Sequence, residues 1–563
     1  MSETIELQPA QRQVSFSRNN LRWVIGAFAI AGFVLLPVVA IIWLAFNPEE
    51  NIWPHLISTM LPRYVSNTLI LMLGVGAGTI TGGVMCAWFV TMCNFPGKRI
   101  FEWALLLPLA MPAYVVAYVY TDLLEYAGPV QTSLRYVFDW KLKSEYWFPD
   151  IRTHGGAIAM LSLVLYPYVY MLTRAAFLQQ SVCVLEAGRV LGRSPWVCFW
   201  SVALPLARPA LVVGTALAMM ETLNDFGTID FFAVHTLTAG IFDVWLNMSN
   251  IGGAAQIALV MLLFVIGLLW IERASRKGQK YHSTTTRYKA LPGYQLQGWH
   301  KYFAIVACSS PILFGFLIPA GTLAFYAARR FEESWTSEFF GYALNSLFLS
   351  SSAAMLVIVV GVFMAYAVRL SGQKSLKTAT RLASVGYAMP GAVLAIGVLI
   401  PFAGFDNFLD GQMRSLFNVS TGLLLSGTVI AIIFAYTVRF LTVGMGGVET
   451  GLAKVTPNMD DASRMLGEGP LGTLRRVHFP LIRGGLLGGA ILVFVDSMKE
   501  LPATLILRPF NYDTLATYVY QFASDELLEE CALGALTIVI AGILPVILLS
   551  RSIRASRPGH EQS

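Results

Sequence analysis

The chain has 563 residues, of which 56% belong to the apolar and aromatic set and only 13% are Asp, Glu, Lys or Arg. A soluble surface carries roughly twice that share of charge, so a cytosolic enzyme, a disordered regulator and a secreted disulfide scaffold are excluded, and lipid is the solvent for most of the chain. The net charge of +6 is small for this length and the 39 Lys and Arg residues are dispersed, which excludes a nucleic-acid-binding stripe.

About twenty polar residues precede the first apolar run, which is too long for the core of a cleavable secretory signal and is expected to remain as a membrane anchor. A bilayer core about 30 Å thick takes roughly 20 helical residues. Runs of about that length with little or no interior charge fall at 23–46, 64–93, 101–121, 155–173, 204–223, 254–271, 302–328, 342–368, 382–402, 421–438, 484–498 and 532–550. The predicted fold is an all-α polytopic membrane protein with about twelve transmembrane helices. A basic, polar stretch containing YHSTTTRYKALPGYQLQG separates the first six runs from the last six. The predicted organisation is a cytoplasmic tail over 1–22, a first transmembrane repeat over 23–271, a cytoplasmic linker over 272–301, a second repeat over 302–550 and a cytoplasmic tail over 551–563.

Placing both termini in the cytoplasm puts Arg12, Arg18, Arg22, Lys98, Arg99, Arg189, Arg193, Lys374, Lys377, Arg475, Arg476 and the basic linker on the inner side. Glu49, Glu50, Glu332, Glu333, Asp406, Asp410, Asp525 and Glu526 then face outward. That asymmetry follows the positive-inside rule. Cys86, Cys93 and Cys308 lie within apolar runs and no CxxC or Cys/His cluster occurs, so the six cysteines read as packing residues with no disulfide, metal or resident cofactor.

The two halves repeat. Glu186-Ala-Gly-Arg-Val-Leu-Gly192, nine residues and Val202-Ala-Leu-Pro205 align without gaps on Asp461-Ala-Ser-Arg-Met-Leu-Gly467, nine residues and Val477-His-Phe-Pro480, every pair 275 positions apart. Pro195 and Pro470 keep that offset, while Asn67 and Asn345, and Met111-Pro112 and Met389-Pro390, are 278 apart. An even number of spans separates the copies, so both have the same membrane orientation, related by a pseudo-twofold axis along the membrane normal. Each duplicated loop combines an acid, small residues, a glycine and a Pro preceded by Ser194 or Gly469. That is the pattern of a helix start, and two short helices at a bend are expected in each. One such loop alone would read equally as an amphipathic hairpin lying on lipid headgroups.

The EAGRVLG…VALP and DASRMLG…VHFP segments resemble the cytoplasmic signature of permease subunits in binding-protein-dependent ABC importers of the type I fold. Two fused copies, with ETLNDFGT in the first and DSMKELPATLILRP in the second, look most like the ferric-iron permeases of that family. The resemblance covers roughly residues 60–272 and 340–550. It implies a bacterial inner-membrane protein whose loops dock two copies of a cytoplasmic ATPase, with an external (periplasmic) solute-binding protein delivering ferric ion. The docking residues would be Glu186, Ala187, Gly188, Gly192 and Pro205 in one half and Asp461, Ala462, Ser463, Gly467 and Pro480 in the other. Glu186 and Asp461 would pair with a basic residue of the ATPase; as structural residues they would be acids near helix N-termini. Asp461, Ser463 and Phe479 depart from the family's Glu, Ala and Leu.

No GxxxxGK[ST] phosphate loop, HExxH or GxSxG is present, so ATP chemistry and an intramembrane enzyme have no visible machinery here. Glu221 and Asp225 at the end of the fifth span, repeated as Asp496 and Glu500 at the same 275 offset, are spaced to share one helical face. Oxygen ligands suit a small hard cation, and acids in a membrane are costly without a role. Two readings stand: transient ferric contact in the path, or gate hydrogen bonds and a structural ion pair with Lys499. Tyr114, Tyr118 and Tyr120 are phenolic donors in one reading and an outer aromatic belt in the other. Gly74 with Gly78, and Gly485 with Gly489, read as helix-packing positions. The acidic stretch Asp525–Glu530 reads as a solvated loop. A secondary transporter, and an ABC permease for thiamine, phosphonate, sulfate or polyamine, are the alternatives.

Overall fold

Backbone in hydrocarbon must satisfy its own hydrogen bonds, which apolar runs do by forming helices. The computed structural model describes residues 18–179, 194–276, 293–453 and 455–555. Among these, eleven helices are long and apolar enough to span a membrane: Leu21–Phe46, Leu61–Met92, His154–Leu178, Trp196–Asn224, Ile251–Ser275, Trp299–Arg329, Ser337–Ser371, Gly391–Phe417, Val429–Leu452, Pro470–Met498 and Leu528–Leu548. A pair bent by 90°, Lys98–Ala110 and Ala113–Phe138, makes a twelfth. Counted in chain order, the bent pair is span 3.

Prolines explain two places where the helices depart from the hydropathy runs. Met111 is extended (φ −90°, ψ 125°) ahead of Pro112, because proline pushes the preceding residue out of the helical region; this breaks span 3. Met389-Pro390 interrupts the chain likewise, so span 9 starts at Gly391 rather than 382, and a separate helix, Lys374–Ala383, precedes it. Span 10 begins at Val429, eight residues later than expected, and runs on to Leu452.

Among the described residues the second short helix expected in each elbow does start at its proline, but it continues into the following span instead of ending. Helical turns beginning at Pro195 and Pro470 run on through five-residue π-helical turns, Phe199–Ala203 and Leu474–His478, into spans 5 and 11. Pro205 and Pro480 follow directly. Each lacks an N–H and its ring crowds the carbonyl four residues back; the wider π turn absorbs both defects without ending the helix.

The described residues condense into two units that do not follow the halves of the chain: 18–36 with Ala354–Tyr387 and Thr437–Val493, and those within Pro37–Ala353 with Ala388–Tyr436 and 494–555. In the first unit, Trp23 stacks on Phe363 at 4.8 Å and meets Tyr366 edge-on at 5.2 Å. There a Cβ on Gly485 would stand 2.5 Å from the Gly447 carbonyl oxygen, so only glycine permits this crossing of spans 10 and 11.

In the second unit, Cβ atoms on Gly74 and Gly78 would collide with Ile158 and Ser162, and one on Gly214 would stand 2.8 Å from Val169 Cα. Spans 2, 4 and 5 therefore interlock through small residues. The internal repeat is visible atom by atom here. Asn67 Nδ2 donates to the His235 carbonyl and Asn345 Nδ2 to the Asp513 carbonyl, each at 2.9 Å. Thr68 Oγ1 accepts from Leu237 N at 3.0 Å, and Ser346 Oγ from Leu515 N at 2.8 Å. All four pairs obey the 278 offset. The end of the predicted linker returns to the bundle, Tyr294–Gln295 pairing in parallel with Cys93–Asn94. The five described cysteines are buried and unbridged.

Candidate functional site

The second elbow is a single helix, Pro457–Met465, closed by a glycine turn and followed by span 11. Gly467 sits at φ +81°, a left-handed conformation that a side chain would strain. Asp461 and Ala462 lie on the open side of the helix, Asp461 with Arg464 at 3.7 Å. Ser463 is buried and its hydroxyl is 2.8 Å from that of Thr473, which ties the helix to the start of span 11. Pro480 is two residues past the π turn. Met465 and Leu466, 89% and 84% exposed, crown the elbow with Leu471.

A polar clamp that sequence reasoning missed anchors this elbow. Asp460 accepts from Arg369 Nε at 3.0 Å and Nη2 at 2.8 Å, and its other oxygen is 2.6 Å from His478 Nε2. Arg369 also donates to the Leu452 and Val455 carbonyls at 3.1 and 2.9 Å. Tyr366 donates to the Pro470 carbonyl at 2.6 Å. The only advance signal was the departure of VHFP from VALP: His478 stands where the first half has Ala203, and Asp460 where it has Leu185. Glu186, Ala187, Gly188 and Gly192 of the first elbow lie outside the described residues, while Pro205 follows its π turn as Pro480 does.

The four acids are not paired along two helical faces. Span 5 ends at Asn224, leaving Asp225 extended at ψ 130°, and span 11 ends at Met498. Asp225 turns toward the next short helix, Gly227–Phe231, accepting from Thr228 N at 2.9 Å, Thr228 Oγ1 at 3.0 Å and Ile229 N at 3.3 Å. Glu500 meets Ala503 N at 3.4 Å, the matching bond in the second repeat. A carboxylate that accepts orphan amides at a helix start is stabilised there, which is why these two leave the helix face. Asp496 pairs with Lys499 at 2.9 Å, and Lys499 lies within electrostatic reach of Glu221 and Glu500. Asn224, the counterpart of Lys499, accepts from Gly391 N at 2.7 Å.

Tyr114 and Tyr118 are buried rather than belted at a surface. The acidic stretch is not simply solvated either: Glu526 meets Arg152 at 2.6 Å, and Arg330 holds Glu529 and Glu530 at 3.1 Å each. Arg152 also meets Glu125 at 2.6 Å, beside a cavity of about 240 Å³ lined by Tyr118, Asp122, Phe231 and Tyr326.

The repeat, the elbow and the spans agree with a sequence match. The family model of the inner membrane component of binding-protein-dependent transport systems matches twice, over residues 74–280 and 357–559. The chain belongs to this family. As a permease it is a multi-pass inner-membrane transport protein, fused from two copies of the family unit. It is 25% identical over 492 residues to an Fe(3+)-transport system permease protein of Haemophilus influenzae, covering 86% of this permease and 89% of the relative. It is 25% identical over 545 residues to a ferric transport system permease protein of Actinobacillus pleuropneumoniae, covering 90% and 74%. A molybdenum transport system permease protein of Escherichia coli K12 is 29% identical over 205 residues, 35% of this permease but 86% of its own length.

Proposed function

We propose that this permease is the whole translocation pore of an ATP-driven importer, with ferric ion as cargo. Two copies of a cytoplasmic ATPase engage its elbows, and a solute-binding protein delivers the ion from outside. Both termini are cytoplasmic, in keeping with the distribution of basic residues. The observation that carries the reading is the second elbow, where a clamped polar base presents the bare side chains of Met465 and Leu466. Exposed apolar groups on a connector call for a protein partner. ATP binding and hydrolysis move the two elbows as rigid handles, and the halves rock between outward and inward access.

Ferric cargo is supported by the names of the relatives that match along most of the chain. It is also supported by the charge balance around Lys499, which pairs with Asp496 at 2.9 Å and lies within electrostatic reach of Glu221 and Glu500, an excess of acid that suits a cation better than an oxyanion.

Proteoliposomes holding the permease, its ATPase and ferric-loaded binding protein test the proposal. ATP-dependent iron uptake is expected, and the paired substitutions Glu186→Lys and Asp461→Lys should abolish ATPase co-purification without preventing membrane insertion. Uptake that proceeds without ATPase, or an ATPase that still co-purifies with the doubly reversed variant, would overturn it.

A further inference from the structure

The hydroxyls of Tyr114 and Tyr118 are buried and have no hydrogen-bond partner, the two residues being 4% and 2% exposed. Buried polar groups are almost always paired, and an exception needs a cause. The two phenols stand one turn apart on the helix Ala113–Leu124, their ring centroids 5.8 Å apart. Tyr114 sits against both repeated acid turns: a Cβ on Gly227 would stand 2.6 Å from Tyr114 Cβ and 3.1 Å from Leu501 Cδ2. The carboxylates acting electrostatically on its hydroxyl are Asp225 and Glu500. Tyr118 meets Phe231 edge-on at 4.5 Å, and these two residues also wall the cavity that contains Asp122, Glu125 and Glu526. The 278 offset places Ala392 and Ile396 at the matching positions, so only the first half contributes this phenol pair.

We propose that Tyr114 and Tyr118, with the carboxylates of Asp225 and Glu500, form a transient oxygen-donor site for a small trivalent cation moving through the permease. The inference rests on the ferric reading and deepens it by naming the ligands. Hard cations prefer oxygen donors, and a phenol binds one as phenolate. Each phenol proton is released to water as the ion binds and is regained from water when the ion leaves, so Asp225 and Glu500 remain carboxylate donors throughout. Among the described residues no three His, Cys, Asp or Glu side chains are grouped to hold a metal. The phenols therefore distinguish this site from a purely acidic one, and a site without a full carboxylate cage releases its ion readily, as conduction requires.

The test is Tyr114→Phe with Tyr118→Phe, which keeps both rings. Ferric nitrilotriacetate titrated into the purified permease should give a phenolate-to-iron charge-transfer band in the visible, absent from the double variant. In the reconstituted complex the variant should lower ferric uptake by about tenfold or more, with thermal stability unchanged or raised because no native hydrogen bond is lost. A wild-type permease without the band, or a variant that keeps it, overturns the site. Ferric uptake by the wild type that is matched by the variant also overturns it and leaves the cargo reading standing. Absence of any ferric uptake by the wild type overturns both.

Discussion

Asp460 and Asp461 are neighbours with opposite duties. Asp460 is enclosed by Arg369 and His478 at the base of the elbow, while Asp461 faces outward beside Arg464. Removing one partner from a largely buried ion pair costs about 3 kcal/mol, whereas an outward acid contributes within about 0.5 kcal/mol. Asp460→Ala should therefore lower the thermal midpoint of the purified permease sharply. Asp461→Ala should leave the midpoint in place and weaken ATPase binding instead. Two melting curves and one pull-down separate these roles. The motif exposed Asp461 to sequence reasoning, because its copy stands 275 positions earlier. Asp460 showed only as a departure from Leu185 of the other copy, because its partners His478 and Arg369 are 18 and 91 residues away.

Helices were legible from hydropathy, since each span is a local property of about twenty residues. Their faces were not. Gly484, Gly485, Gly488 and Gly489 look alike in the sequence, yet a Cβ on Gly485 would strike the Gly447 carbonyl at 2.5 Å and one on Gly484 or Gly488 would meet nothing within 4 Å. Gly485→Ala should destabilise the permease by about 1–3 kcal/mol through overpacking. Gly484→Ala should be neutral or stabilising by up to about 1 kcal/mol, as expected of an exposed helix position. Thermal unfolding in one detergent decides between them, and equal midpoints would refute the crossing. The breaks at Met111-Pro112 and Met389-Pro390 carried a visible proline. The 90° bend at the first depends on what the two arms pack against.

At the scale of the molecule, duplication has left both copies and differences. The Asn67 and Asn345 bonds are the same bond made twice, with the same 168-residue separation and the same 2.9 Å length. Asn67→Ala and Asn345→Ala should each cost about 1 kcal/mol, with similar shifts in thermal midpoint. A cost at one site only would show that the halves have diverged there. Divergence is already plain elsewhere. Asn224 receives the amide of Gly391, whereas its counterpart Lys499 pairs with Asp496, and the first half alone supplies Tyr114 and Tyr118. Fusion into one polypeptide allows this, because each half can specialise without altering the other.

Membrane residence, the number of spans and the tandem repeat could all be read along the chain, because hydropathy and residue register are properties of consecutive positions. The capping roles of Asp225 and Glu500, the clamp on Asp460 and the burial of Tyr114 and Tyr118 could not. The clamp and the buried phenols arise where helices distant in sequence meet, and the caps where an acid just past the end of a span stands three residues before an amide of the next short helix; in each case the free energy of a polar group out of water depends on which neighbours the fold provides.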